Sequence, residues 1–139
     1  MIEKTSDTTL YLDITFDKLD IPIGFRTAQL VHSQLRNELE LDAVVGLGPN
    51  KLLALLASKT CTKSPVYAVD KNDTAAFLSD IPIDLLPGLG RTSRDRLRNI
   101  GIERIGQLAG VGLSDLRQHV GRSALRLHQY AQGIDDTPV

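Results

Sequence analysis

The residues with the most chemistry to offer run Leu86-Pro87-Gly88-Leu89-Gly90-Arg91-Thr92-Ser93-Arg94-Asp95-Arg96-Leu97 and are followed by Ile100-Gly101-Ile102. A hydrophobic-Pro-Gly-hydrophobic-Gly turn that enters a helix presents backbone N–H groups at the helix N-terminus, where the dipole also favours an anion. One phosphate fits there. Gly88 and Gly90, on either side of Leu89, permit the tight turn and the close approach of a DNA backbone. Arg91 and the hydroxyls of Thr92 or Ser93 can supplement the amides. This is the helix-hairpin-helix pattern. A glycine-rich connector that merely joins two helices would look similar, and the arginine excess just after the turn favours DNA.

Arg94 and Arg98 stand at i,i+4 on one helical face and Arg91 lies one turn before Arg94, so the three form a basic stripe able to follow a phosphate backbone. Arg96 and Arg104 are expected to solvate the opposite surface. Charge on a helix is most often just a solvated face, and the stripe's place beside the turn is what raises it above that. Residues 1 to 86 hold eight Lys or Arg against twelve Asp or Glu, whereas residues 87 to 139 hold eight against five, all eight being arginine. An acidic half followed by an arginine-rich half points to an anionic partner for the second part. With aromatics at only 4% of the chain there is little surface for base stacking, so contacts to the DNA backbone without sequence readout are expected.

Other chemistries find less support. Cys61 has no second thiol to pair with, and His32, His119 and His128 show no metal-ligand spacing, so neither an internal disulfide nor a structural zinc is expected. No apolar run approaches the ~20 residues that cross a bilayer, and Met1 to Thr9 is too polar for a signal peptide, which reads as a soluble intracellular protein with no membrane partner.

The elements that must position these residues change character along the chain. At 139 residues it makes one ordinary domain or two small ones. Leu10, Leu12 and Ile14 alternate with Tyr11, Asp13 and Thr15, a strand. After a polar connection, Pro22 opens a helix with Ala28, Val31, Leu35 and Leu39 at helical spacing, running to about Leu41. Ala43 to Gly48 reads as a short buried strand, Asn50 begins a core helix rich in leucine, Pro65 to Val69 makes a third strand, and Asp73 to Leu78 a short helix capped by Asp73 or Asn72. Beyond Asp80 come short helical segments bounded by glycines, two of which could be related hairpins. The boundary is placed near Pro82, giving units 1–81 and 82–139. The fold class is α+β, a β-α-β-α-β-α layer followed by an all-helical unit.

Three segments together resemble the Y-family DNA polymerases, which copy damaged DNA. Ser6-Asp7-Thr8-Thr9-Leu10-Tyr11-Leu12-Asp13-Ile14-Thr15 is similar to that family's palm strand Ser-aliphatic-Asp-Glu-Ala-aromatic-Leu-Asp-Val-Thr. Val45-Gly46-Leu47-Gly48-Pro49-Asn50-Lys51 resembles the Gly-Ile-Ala-Pro-Asn-Lys region. Leu86 to Ile102, Gly106 to Leu108 and Gly133-Ile134-Asp135 match the thumb. The resemblance implies a partial palm followed by a helix-hairpin-helix thumb, duplex DNA and other replication or repair proteins as partners, and a cytoplasmic, nucleoid-associated place.

Departures from the family pattern shape the expected function. Anchored on Tyr11-Leu12-Asp13, the catalytic Asp-Glu pair falls on Thr8 and Thr9, and neutral hydroxyls cannot hold the magnesium ions of phosphoryl transfer. Asp7 faces the other side of the strand. Active relatives carry a lysine where this chain has Leu55, an aspartate where it has Lys59, and a triphosphate lysine near Thr62 and Lys63. The first catalytic aspartate and the fingers would precede Met1, and the little finger would follow Val139. The resemblance therefore implies a polymerase-like accessory protein or fragment, binding DNA backbone in translesion repair, with no catalytic residues, no metal and no cofactor of its own. The alternatives are a piece of a larger active translesion polymerase and a protein-interaction scaffold without DNA binding. DNA contact is expected at Gly88, Leu89, Gly90, Arg91, Thr92, Arg94 and Arg98. For Lys51, phosphate contact and plain solvation stand open. Asn50 is expected to cap its helix, and Asp13 to act as a hydrogen-bonding strand end. Having part of a palm sheet, the first unit is expected to expose an open strand edge or an apolar face.

Overall fold

The computed structural model describes residues 1–15, 21–60 and 63–139. Cys61, Thr62 and most of the polar connection before Pro22 lie outside the described residues. The chain forms two compact units, one of Met1–Asp70 with Asp136–Val139 and one of Lys71–Asp135.

In the first unit β1 (Ile2–Lys4) and β2 (Leu10–Leu12) form an antiparallel pair with Ile2 opposite Leu12 and Glu3 opposite Tyr11. The long α1 (Ile21–Leu39) leads to β3 (Val45–Leu47), α2 (Lys51–Thr60) and β4 (Val66–Ala68). β3 and β4 pair in parallel, Val45 with Val66 and Leu47 with Ala68, so α2 is the crossover that parallel pairing requires. The dense leucines of α2 serve this position: Leu52, Leu53, Leu56 and Ala57 are buried. Asn50 caps the helix as expected, its Oδ1 accepting the Leu53 N–H at 2.9 Å.

The sequence reading missed β1, whose three residues carry no pattern of their own. Side chains directly opposite one another share a face. Glu3 and Tyr11 therefore point to one side, half-buried, and Ile2, Leu10 and Leu12 to the other, where they are 69%, 62% and 43% exposed. An apolar face thus stands uncovered, as the resemblance led us to expect.

The second unit is helical: α3 (Thr74–Ser79), α4 (Arg91–Asn99), α5 (Ile105–Ala109), α6 (Leu113–Val120) and α7 (Ala124–Ala131), with 3-10 turns at Lys71–Asp73, Ile83–Leu85 and Gly121–Ser123. Leu78, Ile83, Leu97, Ile105, Leu108 and Leu116 form its core. The division falls at Asp70, before α3, and not at Pro82. Packing explains the shift. Leu78 is buried, and a Cβ on Gly106 would lie 2.8 Å from the Ser79 carbonyl oxygen, so α3 and α5 approach backbone to backbone. Residues on either side of Pro82 also pair with the segment before α5, Ile83 N–H to the Glu103 carbonyl at 3.0 Å and Ile105 N–H to the Ile81 carbonyl at 2.9 Å. Of the two expected caps, Asp73 and Asn72, the first is corrected. Its side chain makes no cap bond, because the 3-10 turn already delivers the backbone into α3 in near-helical geometry.

Candidate nucleic-acid interface

The Pro87 turn is anchored by Leu86 and Leu89, 3% and 6% exposed, with Gly88 and Gly90 exposed on either side of Leu89. Gly88 adopts φ +78°, a left-handed conformation that glycine reaches without strain. Gly90 needs no such freedom: at φ −67° and ψ 160° it is an ordinary N-cap, and a Cβ there would meet nothing within 4 Å. The first helical bond of α4 runs from Arg94 N–H to the Gly90 carbonyl at 3.0 Å. Ahead of it the N–H groups of Arg91, Thr92 and Ser93 have no side-chain cap, and no acidic residue occupies the first turn. Arg91 and Thr92 are exposed beside them. The result is an open, positive patch of amides of the size of one phosphate.

The basic stripe is organised differently from the reading of its spacing. Asp84, in the 3-10 turn before the glycines, pairs with two of its arginines: Arg94 Nε stands 3.0 Å from Oδ1, and Arg98 Nη2 2.5 Å from Oδ2. Arg94 also donates to the Leu89 carbonyl at 3.4 Å, tying helix to turn. Arg91 alone of the three has no hydrogen bond or ion pair among the described residues. Arg96 and Arg104, expected merely to solvate the far surface, donate to the backbone carbonyls of His119 and Asp80. Sequence alone gave no signal for Asp84, which lies fourteen positions from Arg98.

Two segments share the spacing Leu-x-Gly-hydrophobic-Gly before a helix, Leu86 to Gly90 and Leu108 to Gly112. Their N-cap glycines have similar backbones, Gly112 at φ −64° and ψ 150°. The turns themselves differ, since Gly110 sits at φ −81° where Gly88 is left-handed, and Asp115 in the first turn of α6 places a carboxylate where an anion would have to sit. Only the first turn is suited to phosphate.

Lys51 belongs to the other unit and its ammonium is already committed. It lies 2.6 Å from Glu3 Oε2, 4.9 Å from the centre of the Tyr11 ring and 3.3 Å from the Pro138 carbonyl oxygen, with the side chain 13% exposed. Plain solvation does not describe it, because a carboxylate from β1 pairs with the ammonium.

Around Thr8 and Thr9 the chain forms the loop between β1 and β2. Thr5 and Ser6 donate N–H bonds to the Thr9 carbonyl at 3.1 and 3.2 Å, and Thr8 N–H donates to the Ser6 hydroxyl at 3.2 Å. Asp7, the loop's carboxylate, pairs with Lys4 at 3.0 Å. Asp13 accepts the hydroxyl and the N–H of Thr15, and these two bonds hold its carboxyl below the usual aspartate value. It is the hydrogen-bonding strand end that the sequence suggested. Among the described residues no three of His, Cys, Asp or Glu are grouped to hold a metal ion, and no helix is long and apolar enough to cross a membrane.

Residues 84–135 match the family described as DNA polymerase-iota, thumb domain. The whole chain is 32% identical to a DNA polymerase IV of Xanthomonas campestris pv. campestris and spans 39% of that protein's length. A DNA polymerase IV of Methanoculleus marisnigri is 33% identical over 99% of the chain, which covers 38% of it. Among solved structures, DinB from Sulfolobus solfataricus superposes with a TM-score of 0.87 at 26% identity, over 99% of this chain and 41% of that one. A Y-family DNA polymerase chimera gives 0.86 at the same identity and coverage.

Proposed function

Because this chain is related to the Y-family DNA polymerases from end to end, we propose that it is a polymerase-like module that grips duplex DNA by the phosphate backbone through a helix-hairpin-helix, without sequence readout and without nucleotide transfer of its own. The observation that supports the grip is the open N-terminus of α4: uncapped amides, an outward Gly90 with free space where a Cβ would stand, and Arg91 beside it. One hairpin meets few phosphates, so binding belongs in the non-specific range, about 10⁻⁴ to 10⁻⁶ M at physiological salt.

Gly90→Asp separates this reading from a purely structural turn. Aspartate is among the best N-caps and Gly90 already has the N-cap backbone, so the fold is expected to hold or gain about 0.5–1 kcal/mol. The carboxylate would take the amides and repel phosphate, and duplex binding is expected to weaken about tenfold, a cost of about 1.4 kcal/mol. Arg91→Glu should weaken all sequences alike and flatten the salt slope by about one. Thermal melts paired with fluorescence anisotropy on a labelled duplex read both quantities. If Gly90→Asp and Arg91→Glu fold and bind as the unsubstituted chain does, the turn only joins helices and the scaffold reading stands.

The catalytic half of the proposal rests on Thr8 and Thr9, whose hydroxyls cannot supply the two metal-binding carboxylates of phosphoryl transfer. Primer extension by this chain with magnesium is expected to be absent. Extension that survives purification and is abolished by Asp7→Ala or Asp13→Ala would overturn it. A second reading draws on coverage: the chain corresponds to 39% of the length of its polymerase IV relatives, so it would suit a part of a larger polymerase whose chemistry lies elsewhere. The same DNA grip serves either.

A further inference from the structure

We infer that Asp84 is a built-in competitor of DNA: one carboxylate holds Arg94 and Arg98 in an internal clamp that phosphates must displace, and so lowers the affinity of the hairpin for any duplex. The inference rests on the DNA-binding reading and concerns what regulates that site.

The geometry is that of two cations sharing one anion. Arg94 Nε and Arg98 Nη2 reach different oxygens of the same carboxylate, at 3.0 and 2.5 Å. The side chains are partly open to solvent, 31%, 47% and 36% exposed for Arg94, Arg98 and Asp84, although the Arg94 Nε atom itself is buried. Ion pairs between side chains that exposed are individually weak, so the successive phosphates of a duplex lying along this face can exchange for the carboxylate. The exchange still breaks two arginine–carboxylate pairs to form arginine–phosphate ones, and leaves a negative charge beside the polyanion. Arg91, on the same face and unpaired, meets DNA first, whereas Arg94 and Arg98 join only where the duplex offers further phosphates. A single small anion would leave the clamp shut.

Asp84→Asn keeps the side-chain shape and removes the charge. Measured at about 50 mM salt on a labelled duplex, its affinity is expected to rise three- to tenfold over the unsubstituted chain, with the slope of log K against log salt steeper by about one. Asp84→Glu, which retains a carboxylate, should stay near the unsubstituted affinity. Asp84→Ser provides the same test of charge removal should the asparagine variant fold poorly. A folded Asp84→Asn or Asp84→Ser that binds more weakly, with a flatter slope, overturns the inference and makes Asp84 a positioning residue. Unchanged affinity and slope overturn it by showing that Arg94 and Arg98 do not meet DNA. Binding lost in Arg91→Glu but insensitive to Asp84 leaves the DNA reading intact while rejecting the clamp; no binding by the unsubstituted chain and the Asp84 variants alike rejects both.

Discussion

Gly46→Ala is expected to destabilise the first unit by about 3 kcal/mol or more, since a Cβ there would meet the closest contact of any glycine in the protein. β3 lies so close to α2 at this point that an alanine Cβ would stand 2.0 Å from the Ala54 carbonyl oxygen and 2.6 Å from the Ser58 backbone nitrogen. Both are backbone atoms of a hydrogen-bonded helix, so no rotamer change can clear them. The helix must retreat, and Leu53 and Leu56, 1% and 0% exposed, would lose their packing with it. Gly48 repeats the constraint more mildly, with a Cβ position 2.9 Å from the Ala54 nitrogen. Urea denaturation of Gly46→Ala measures the cost directly. A loss below about 1 kcal/mol would mean that β3 and α2 slide apart freely, and the close approach would not be a defining contact.

Leu97→Ala is expected to cost about 2–5 kcal/mol in the second unit. Leu97 is the one buried residue of α4, at 0% exposure, so the helix that carries the arginines is held down by a single apolar anchor. The residues after α4 also fold back over it, with Ile100 and Ile102 donating N–H bonds to the Leu97 carbonyl at 3.2 and 3.0 Å. The substitution leaves Gly88, Gly90 and Arg91 untouched. At a temperature where the variant is still folded, DNA affinity should therefore remain within about twofold, in contrast to Gly90→Asp. Denaturation midpoints and binding measured on the same preparation test both halves. Undiminished stability would show that α4 is anchored by something other than this leucine.

What the sequence could reveal depended on how local the cause was. The Asn50 cap, the leucines of α2 and the glycine turn before α4 were legible because each is decided within a few residues. So was the i,i+4 spacing of Arg94 and Arg98, although what they face was not: Asp84 reaches them only through the folded turn. The partner of Lys51 was hidden in the same way, since Glu3 comes from a strand of three residues with no signature until it pairs with Leu10–Leu12. The boundary moved from Pro82 to Asp70 because α3 is assigned by the bare backbone at Gly106, and nothing in spacing distinguishes a glycine needed for close approach from one needed for a turn. The special demand of Gly46 was hidden for that reason too.

The bond from Lys51 to the Pro138 carbonyl bears on the order of assembly. Residues 136–139 rejoin the first unit after an excursion through Lys71–Asp135, so that unit is discontinuous along the polypeptide. Closing so long a loop while it is still unfolded carries a large configurational entropy cost, which grows as about (3/2)RT ln n. Once the helices of the excursion have formed, its two ends are fixed by structure and that cost has already been met. Docking of the C-terminal residues against Lys51 is thus cheapest once those helices are in place.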